Sequence, residues 1–300
     1  MNRSGQAGDP VAVLLFTACV LIAAGNFVAV RFSNQELPPM WGAGLRFALA
    51  AVVFIIIARL SRIPRPRGVE LRRTLVFGIF NFALFYALMY WALVRVTAGT
   101  GTIVIASVPV ITLLLASAQR LEPLTPRALA GALLALGGIA YVTFTSSQLT
   151  ITPLALAALL LAAASLSQSI ILGKRISHLH PAAINAVAMS LGAALLLALS
   201  LALGERWSWP REPGALWALI YLATVGSVGL FGLTLLLIRR WAPSATAYVL
   251  VVVPMVTLLL EAAIANVPLA LAAVIGAVLV MVGVWLGAVS GGRRKPATAG

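Results

Sequence analysis

The chain of 300 residues is 62% hydrophobic and only 9% charged, with a mean hydropathy of +1.06. A soluble domain is about 45–50% apolar and about 25% charged, so the composition excludes an ordinary soluble protein and indicates a polytopic membrane protein that lies in the lipid bilayer. The formal net charge of +14 comes from short basic clusters between apolar runs, and this distribution argues against nucleic-acid binding.

Ten apolar segments predict transmembrane helices, because about 20 apolar residues are needed to cross the hydrocarbon core. They lie near 10–31, 38–58, 72–94, 98–119, 126–145, 152–173, 181–203, 214–238, 244–263 and 268–289. The first is longer than a signal-peptide core of about 7–15 residues, so we interpret it as a retained span. All ten are expected to be helical, since lipid offers no hydrogen-bond partner to unpaired backbone N–H and C=O groups.

The second half of the chain repeats the first. The motif Val-Pro-x-x-Thr-Leu-Leu-Leu occurs at 108–115 and again at 253–260, 145 residues later. An alignment of 95–142 with 240–287 gives 16 identities in 48 positions. Such a repeat indicates a duplicated structural unit.

Each unit is predicted to hold five helices, and an odd number inserts the second unit upside down relative to the first. The sequence therefore predicts an all-α membrane protein with ten transmembrane helices as two inverted five-helix repeats. The first five-helix repeat would cover 1–147, the second 148–290, and a basic cytoplasmic tail 291–300. Both repeats lie in one chain, so a monomeric state is compatible with this organisation.

The distribution of lysine and arginine predicts the orientation. With the N-terminus inside, the inner segments hold 16 basic residues and the outer segments hold 4. The positive-inside rule then places the N- and C-termini in the cytoplasm, in a multi-pass protein of the bacterial inner membrane.

Two repeated prolines, Pro109 and Pro254, lie within predicted helices. Each lacks an N–H, so the carbonyl four residues earlier loses its helical partner. Matching broken helices in two repeats are typical of a transport site, and we predict that both prolines are hinges. The alternative is a packing kink, because proline is common in transmembrane helices.

Polar and aromatic side chains in the apolar segments predict a small-molecule site. An amide that faced lipid would leave its donors unsatisfied, so these side chains are expected to point inward. The alternative is interhelical hydrogen bonding without a ligand. The candidate substrate-binding residues are Asn26, Asn81, Phe85, Tyr86, Ser107, Gln168 and Tyr248.

Metal and acid–base chemistry need ionisable groups, and the apolar segments hold few of them. Arg46 lies within a span and Glu261 near the outer end of another. Arg46 must face a cavity or pair with an acid or with carbonyls, because a charge at mid-bilayer costs about 2.5–3.5 kcal/mol. His178 and His180 lack acidic or cysteine neighbours in the sequence, and Cys19 is the single cysteine. We therefore predict no metal site, no cofactor and no enzymatic activity.

Several strings resemble the drug/metabolite transporter superfamily, in the branch with two EamA domains. They are Ala24-Gly-Asn-Phe-Val28, Leu37-Pro-Pro39, Leu45-Arg-Phe47, Ala50-Ala51, Pro109 with Glu122, Gly131 with Gly138, and Pro254 with Gly276 and Gly283. The second copy departs from the pattern at Val267, where another glutamate would fit. The resemblance covers nearly the whole chain. The size of the chain, its internal symmetry and its aromatic-rich third segment most resemble those of an aromatic amino-acid exporter.

The resulting hypothesis is a secondary transporter that exports small metabolites, with aromatic or other apolar amino acids favoured, by alternating access. A multidrug exporter of lipophilic cations is the alternative within transport, and it would require a buried carboxylate such as Glu261. A non-transporting membrane accessory or receptor protein is the alternative of another class.

Overall fold

The computed structural model describes residues 10–121, 126–145, 152–240, 248–265 and 269–286, which are almost entirely helical and contain no β-strand. The helices of the first half are α1 (Pro10–Ser33), α2 (Pro39–Leu60), α3 (Gly68–Gly78), α4 (Phe85–Leu93), α5 (Ala98–Ile105), α6 (Val108–Ala118) and α7 (Pro126–Thr145). Those of the second half are α8 (Pro153–Lys174), α9 (Pro181–Ala202), α10 (Pro213–Ala223), α11 (Leu230–Arg240), α12 (Tyr248–Ala265) and α13 (Leu271–Val284). Two π-helical segments, Ile79–Leu84 and Thr224–Gly229, join α3 to α4 and α10 to α11.

Seven helical spans among the described residues are long and apolar enough to cross a membrane. They cover Pro10–Ser33, Pro39–Leu60, Gly68–Leu93, Ala98–Ala118, Pro153–Lys174, Pro181–Ala202 and Pro213–Thr234. Three further apolar helices are shorter, at Leu129–Val142, Val251–Ala265 and Leu271–Gly283. All lie where the sequence predicts spans, but ten full-length crossings stay a prediction.

The packing of the helices follows the repeat. The most extensive contacts join α2 to α9 and α7 to α13, which are equivalent helices of the two halves. In the same way α1 packs on α10, α11 and α12, and its counterpart α8 packs on α3, α4 and α6. The first helix of each half therefore lies against the third and fourth of the other half.

The repeated glycines explain the contact between α7 and α13. A Cβ atom on Gly138 would lie 2.9 Å from the carbonyl oxygen of Gly276, and one on Gly283 would lie 2.6 Å from that of Gly131. Real Cβ atoms do not approach a backbone oxygen so closely, so the two helices pack with backbone against backbone. Small residues permit this close approach in membranes, where packing rather than the hydrophobic effect drives helix association.

The two repeated prolines lie in different local structure, and their role as hinges stays a prediction. At Pro109 the helix is interrupted, because α5 ends at Ile105 and α6 begins at Val108. Pro254, by contrast, lies inside the continuous helix α12. Within the described residues, a break in the fourth helix is therefore present in the first half and absent from Tyr248–Ala265 in the second.

Candidate functional site

The two π-helical segments occupy equivalent positions, since each residue of the second lies 145 places after its counterpart in the first. Each ends with a bond from an amide to the carbonyl five residues earlier: Phe85 N–H donates to Phe80 O, and Leu230 N–H to Val225 O. Short π-helical segments inside α-helices are often found at functional sites. Sequence reasoning did not identify these segments.

The second π segment holds the buried charge Arg46, which is 0% exposed. Its Nε donates to Ser227 Oγ at 2.9 Å, its Nη2 to Gly226 O at 3.0 Å and its Nη1 to Tyr90 Oη at 3.4 Å. The sequence left a cavity, an acid or carbonyls as possible surroundings of this arginine, and its described partners are a carbonyl and two hydroxyls. A guanidinium has five N–H donors, and these contacts use three of them.

Asn26 contacts the same carbonyl from α1. Its Nδ2 donates to Gly226 O at 3.0 Å, while its Oδ1 is buried and accepts no hydrogen bond from the described residues. A side chain at position 226 would occupy the space of the Asn26 amide, so glycine is required there. Asn26 and Arg46 therefore meet at one point between the two halves.

The first π segment makes the equivalent contacts with α8. Ser169 occupies the place of Asn26 in the second half, since α1 and α8 begin at Pro10 and Pro153, which are also 143 residues apart. Its hydroxyl donates to Asn81 Oδ1 at 2.9 Å. Ser165 donates to Phe80 O at 2.7 Å. Asn81 is buried, so its inward orientation agrees with the prediction, and both π segments are held by polar side chains of the opposite half.

Aromatic rings surround the Arg46 guanidinium. The Tyr86 ring centroid lies 5.3 Å from Arg46 Cζ, and that of Phe47 lies 5.1 Å away. Tyr86 also makes edge contacts with Phe47 at 4.4 Å and with the buried Phe85 at 4.7 Å. The predicted candidates Phe85 and Tyr86 therefore lie in one cluster with Asn26 and Arg46, and cation–π attraction offsets part of the cost of burying the charge.

The other candidates lie apart from this cluster or beyond the described side chains. Ser107 lies at the break before Pro109, where its Oγ donates to Val104 O at 2.6 Å. Gln168 is half-buried and accepts a bond of 2.8 Å from Gln119 near the end of α6. α12 begins at Tyr248, whose side chain lies outside the described part of the structure.

Glu261 joins the two halves at the end of the molecule where α5 begins. Its carboxylate accepts from Arg31 Nη1 at 2.7 Å, from Ala98 N–H at 2.8 Å and from Gly99 N–H at 2.7 Å. The residue is 1% exposed. Negative charge is stabilised at a helix N-terminus, where amide groups lack partners, so this carboxylate fixes the start of α5 against α12.

Two more carboxylates make contacts of the same kind at this end. Glu205 accepts from the N–H groups of Met40 and Trp41 at the start of α2, at 3.2 and 2.9 Å. Glu36 accepts from the N–H groups that precede α10, those of residues 211 and 212, at 2.6 and 2.9 Å. Trp41 also stacks on Trp207, with ring centroids 4.4 Å apart. Together with Glu261 these contacts tie the two halves together at one end, which we call the carboxylate end.

The opposite end of the molecule is rich in arginine. A groove of about 750 Å³ lies between α2, α3 and α9, with Arg59, Arg62 and Arg65 in its lining. His178 has no acidic neighbour along the chain, but in the structure its Nε2 lies 2.9 Å from Glu70 Oε1 at this end. That pair is largely exposed, so it contributes little to stability.

Comparisons with known proteins place the chain among transporters. It is 26% identical over 272 residues to an uncharacterized transporter of Archaeoglobus fulgidus, which covers 87% of this chain and 92% of that protein. A probable terminal-alkyne amino-acid exporter of Streptantibioticus cattleyicolor is 31% identical over 134 residues, 44% of each chain. A crystal structure 20% identical in sequence shares the fold, with a TM-score of 0.67 over 93% of this chain and 97% of that one.

The model of the EamA-like transporter family matches residues 10–144 and, a second time, residues 153–288. These two matches cover nearly the whole chain and coincide with the two halves that share the π segments and the paired glycines. The resemblance to the drug/metabolite transporter superfamily is thereby confirmed. This chain belongs to the EamA-like transporter family, and it is a transporter and a multi-pass membrane protein.

Proposed function

We propose that this protein exports small metabolites, above all amino acids with apolar or aromatic side chains, across the bacterial inner membrane by alternating access. It would do so as ten transmembrane helices in two inverted repeats, 1–147 and 148–290, with a basic tail at 291–300 and both termini in the cytoplasm. The 16-to-4 distribution of basic residues supports this orientation.

The observation that carries the proposal is the meeting of Arg46 and Asn26 on the carbonyl of Gly226. A free amino acid has a carboxylate and an ammonium group. The unused N–H donors of Arg46 suit the carboxylate, and the unpartnered Oδ1 of Asn26 suits the ammonium group. The rings of Phe85 and Tyr86 beside them suit an apolar or aromatic side chain.

The carboxylate end of the molecule supports alternating access, because contacts between the two halves close it. In the proposed topology the carboxylate end is outside, so the described state is closed to the outside. An exporter in this state would accept its cargo from the cytoplasm.

The test is counterflow of radiolabelled phenylalanine into proteoliposomes that contain the purified protein and unlabelled phenylalanine. Arg46→Met and Asn26→Leu should each abolish uptake, because each removes one anchor of the zwitterion. Gln168→Leu is the matched control: it also replaces an amide, but one bonded to Gln119 outside the cluster. Wild-type uptake in Arg46→Met would refute the proposed site.

The multidrug alternative is less well supported because it needs a carboxylate for a lipophilic cation. Glu261 is the carboxylate buried among the described helices, and it already accepts from Arg31, Ala98 and Gly99. Counterflow of tetraphenylphosphonium in the same proteoliposomes would favour the multidrug function. A lack of flux for every solute would favour an accessory or receptor protein.

A further inference from the structure

The groove at the arginine-rich end has two kinds of lining. It lies between the last turns of α2, the segment that follows α2, and the first half of α9, with a volume of about 750 Å³. Its walls are mostly apolar, with side chains such as Ile55, Ile63, Leu75 and Val187. A pocket of this size and character can enclose a long apolar group.

The polar side of the groove is cationic. Arg59, Arg62 and Arg65 all line it, and all three are exposed. The lining residues that the structure describes include no acidic side chain, and the one hydroxyl, that of Ser190, donates to Ala186 O at 2.6 Å. The three guanidinium groups are therefore available to an anion.

The position of the groove indicates where that anion comes from. The apolar surface of α2 next to it faces outward, with Ile56 49% exposed and Leu60 80% exposed, as expected of residues against acyl chains. The arginines lie where this apolar stretch ends, at the depth of lipid headgroups. The lining of the groove includes no residue of the Arg46 cluster, and beyond the groove Gly192 of α9 packs directly against Phe82 of the first π segment.

We infer that the groove binds an anionic phospholipid, whose phosphate contacts Arg59, Arg62 and Arg65 and whose acyl chain covers the apolar wall between α2 and α9. A free phosphate would use the arginines but would gain nothing from the apolar wall. A cargo molecule bound there would contact no residue of the Arg46 cluster. Basic pockets between transmembrane helices are known to recognise such headgroups.

The expected strength follows from the charges. Each arginine near an anionic headgroup strengthens binding roughly fivefold. Loss of all three should therefore weaken retention of the lipid on the order of 100-fold.

The experiment measures lipid retained by the purified full-length protein with native mass spectrometry, after reconstitution with phosphatidylglycerol or phosphatidylcholine. The wild type should retain phosphatidylglycerol and not phosphatidylcholine. The variant with Arg59, Arg62 and Arg65 all changed to Gln should lose it. The control with Arg120, Arg127 and Arg175 changed to Gln removes the same charge from exposed sites outside the groove, and it should retain the lipid.

A second variant tests the apolar wall. Val187→Trp keeps the arginines but fills the groove, and it should also lose phosphatidylglycerol. Equal loss in both triple variants would mean that only general surface charge matters, and full displacement of the lipid by millimolar inorganic phosphate would mean that the site binds a free anion; either result overturns the inference. Phenylalanine counterflow by the same variants shows separately whether the proposed export holds.

Discussion

Replacement of Glu261 by glutamine tests whether the carboxylate end is a gate. The change keeps the size of the side chain but removes its charge. The wild-type carboxylate accepts three bonds of 2.7–2.8 Å, one from a guanidinium and two from the N–H groups that start α5. A glutamine amide accepts through one oxygen only and turns an NH₂ group toward the remaining donors.

The size of the effect follows from these contacts. Breaking a buried ion pair costs about 3–5 kcal/mol, and Arg31 keeps part of its hydration because its side chain is 36% exposed. We therefore take the loss of this interaction to destabilise the closed state by about 3 kcal/mol. This loss shifts the equilibrium between the closed and open states of the carboxylate end roughly 150-fold toward the open state. The same bonds would have to break whenever the wild type opens at this end.

The assay is labelling of a buried cysteine from the outside of the membrane. Ile103 is 0% exposed and lies one turn beyond Gly99 in α5, so Ile103→Cys, in a chain that carries Cys19→Ala, reports opening beneath Glu261. A membrane-impermeant maleimide should label this reporter on the order of 100-fold faster when Glu261→Gln is added. Glu70→Gln is the control, since it removes a carboxylate from the exposed pair with His178 at the other end, and the labelling rate should not change.

One result would refute the reasoning. If Glu261→Gln lowers the thermal unfolding temperature but leaves the labelling rate at the wild-type value, the carboxylate stabilises the fold without controlling access. The gate would then have to be sought in the contacts of Glu205 and Glu36.

Three further outcomes are expected. Arg46→Met should lower the free energy of unfolding by about 1–3 kcal/mol, because the buried hydroxyls of Ser227 and Tyr90 lose a donor, while Asn26 still bonds the carbonyl of Gly226; a much larger loss in chemical denaturation would assign Arg46 a structural role. Pro109→Ala should close the break between α5 and α6 and abolish counterflow, whereas Pro254→Ala, in an already continuous helix, should keep most of it. Gly138→Leu should destabilise the protein by about 1–3 kcal/mol through the clash with α13, while its neighbour Gly137→Leu, with no atom within 4 Å of the added Cβ, should not.

The positions of the helices were predictable because the bilayer imposes them. α1, α2, α8 and α9 begin and end within three residues of the predicted limits, since apolar length and flanking polar residues decide where a span starts and stops. The repeated glycines were visible in the sequence for a related reason: two helices that pack backbone to backbone need small residues at the same place in both repeats.

The repeated motif itself does not reveal that the helix is interrupted before Pro109 and continuous through Pro254. The residue two places earlier is Ser107 in the first copy and Val252 in the second, and the Ser107 hydroxyl bonds the carbonyl of Val104. Ser169 makes the same kind of bond inside the continuous helix α8, so this bond alone does not break a helix.

The partners of the polar residues depended on the tertiary structure. The two π segments share no residue at equivalent positions, Ile-Phe-Asn-Phe-Ala-Leu against Thr-Val-Gly-Ser-Val-Gly, and local propensity gives no reason for either. Each is held by polar side chains from the opposite half, such as Arg46 and Ser169. A single sequence names such side chains as candidates but cannot pair residues more than 80 positions apart.

The two repeats differ at the two charged residues on which the proposed mechanism depends. The counterpart of Arg46 is Met189, and the counterpart of Glu261 is Ala116, so neither of these two charged residues is duplicated. Two identical inverted halves would exchange conformations at no cost, and the states open to either side would be equally populated. The bonds of Glu261 favour one of them, the state closed at the carboxylate end. In the proposed topology this state faces the cytoplasm, and a transporter that rests in it loads its cargo from the inside, as export requires.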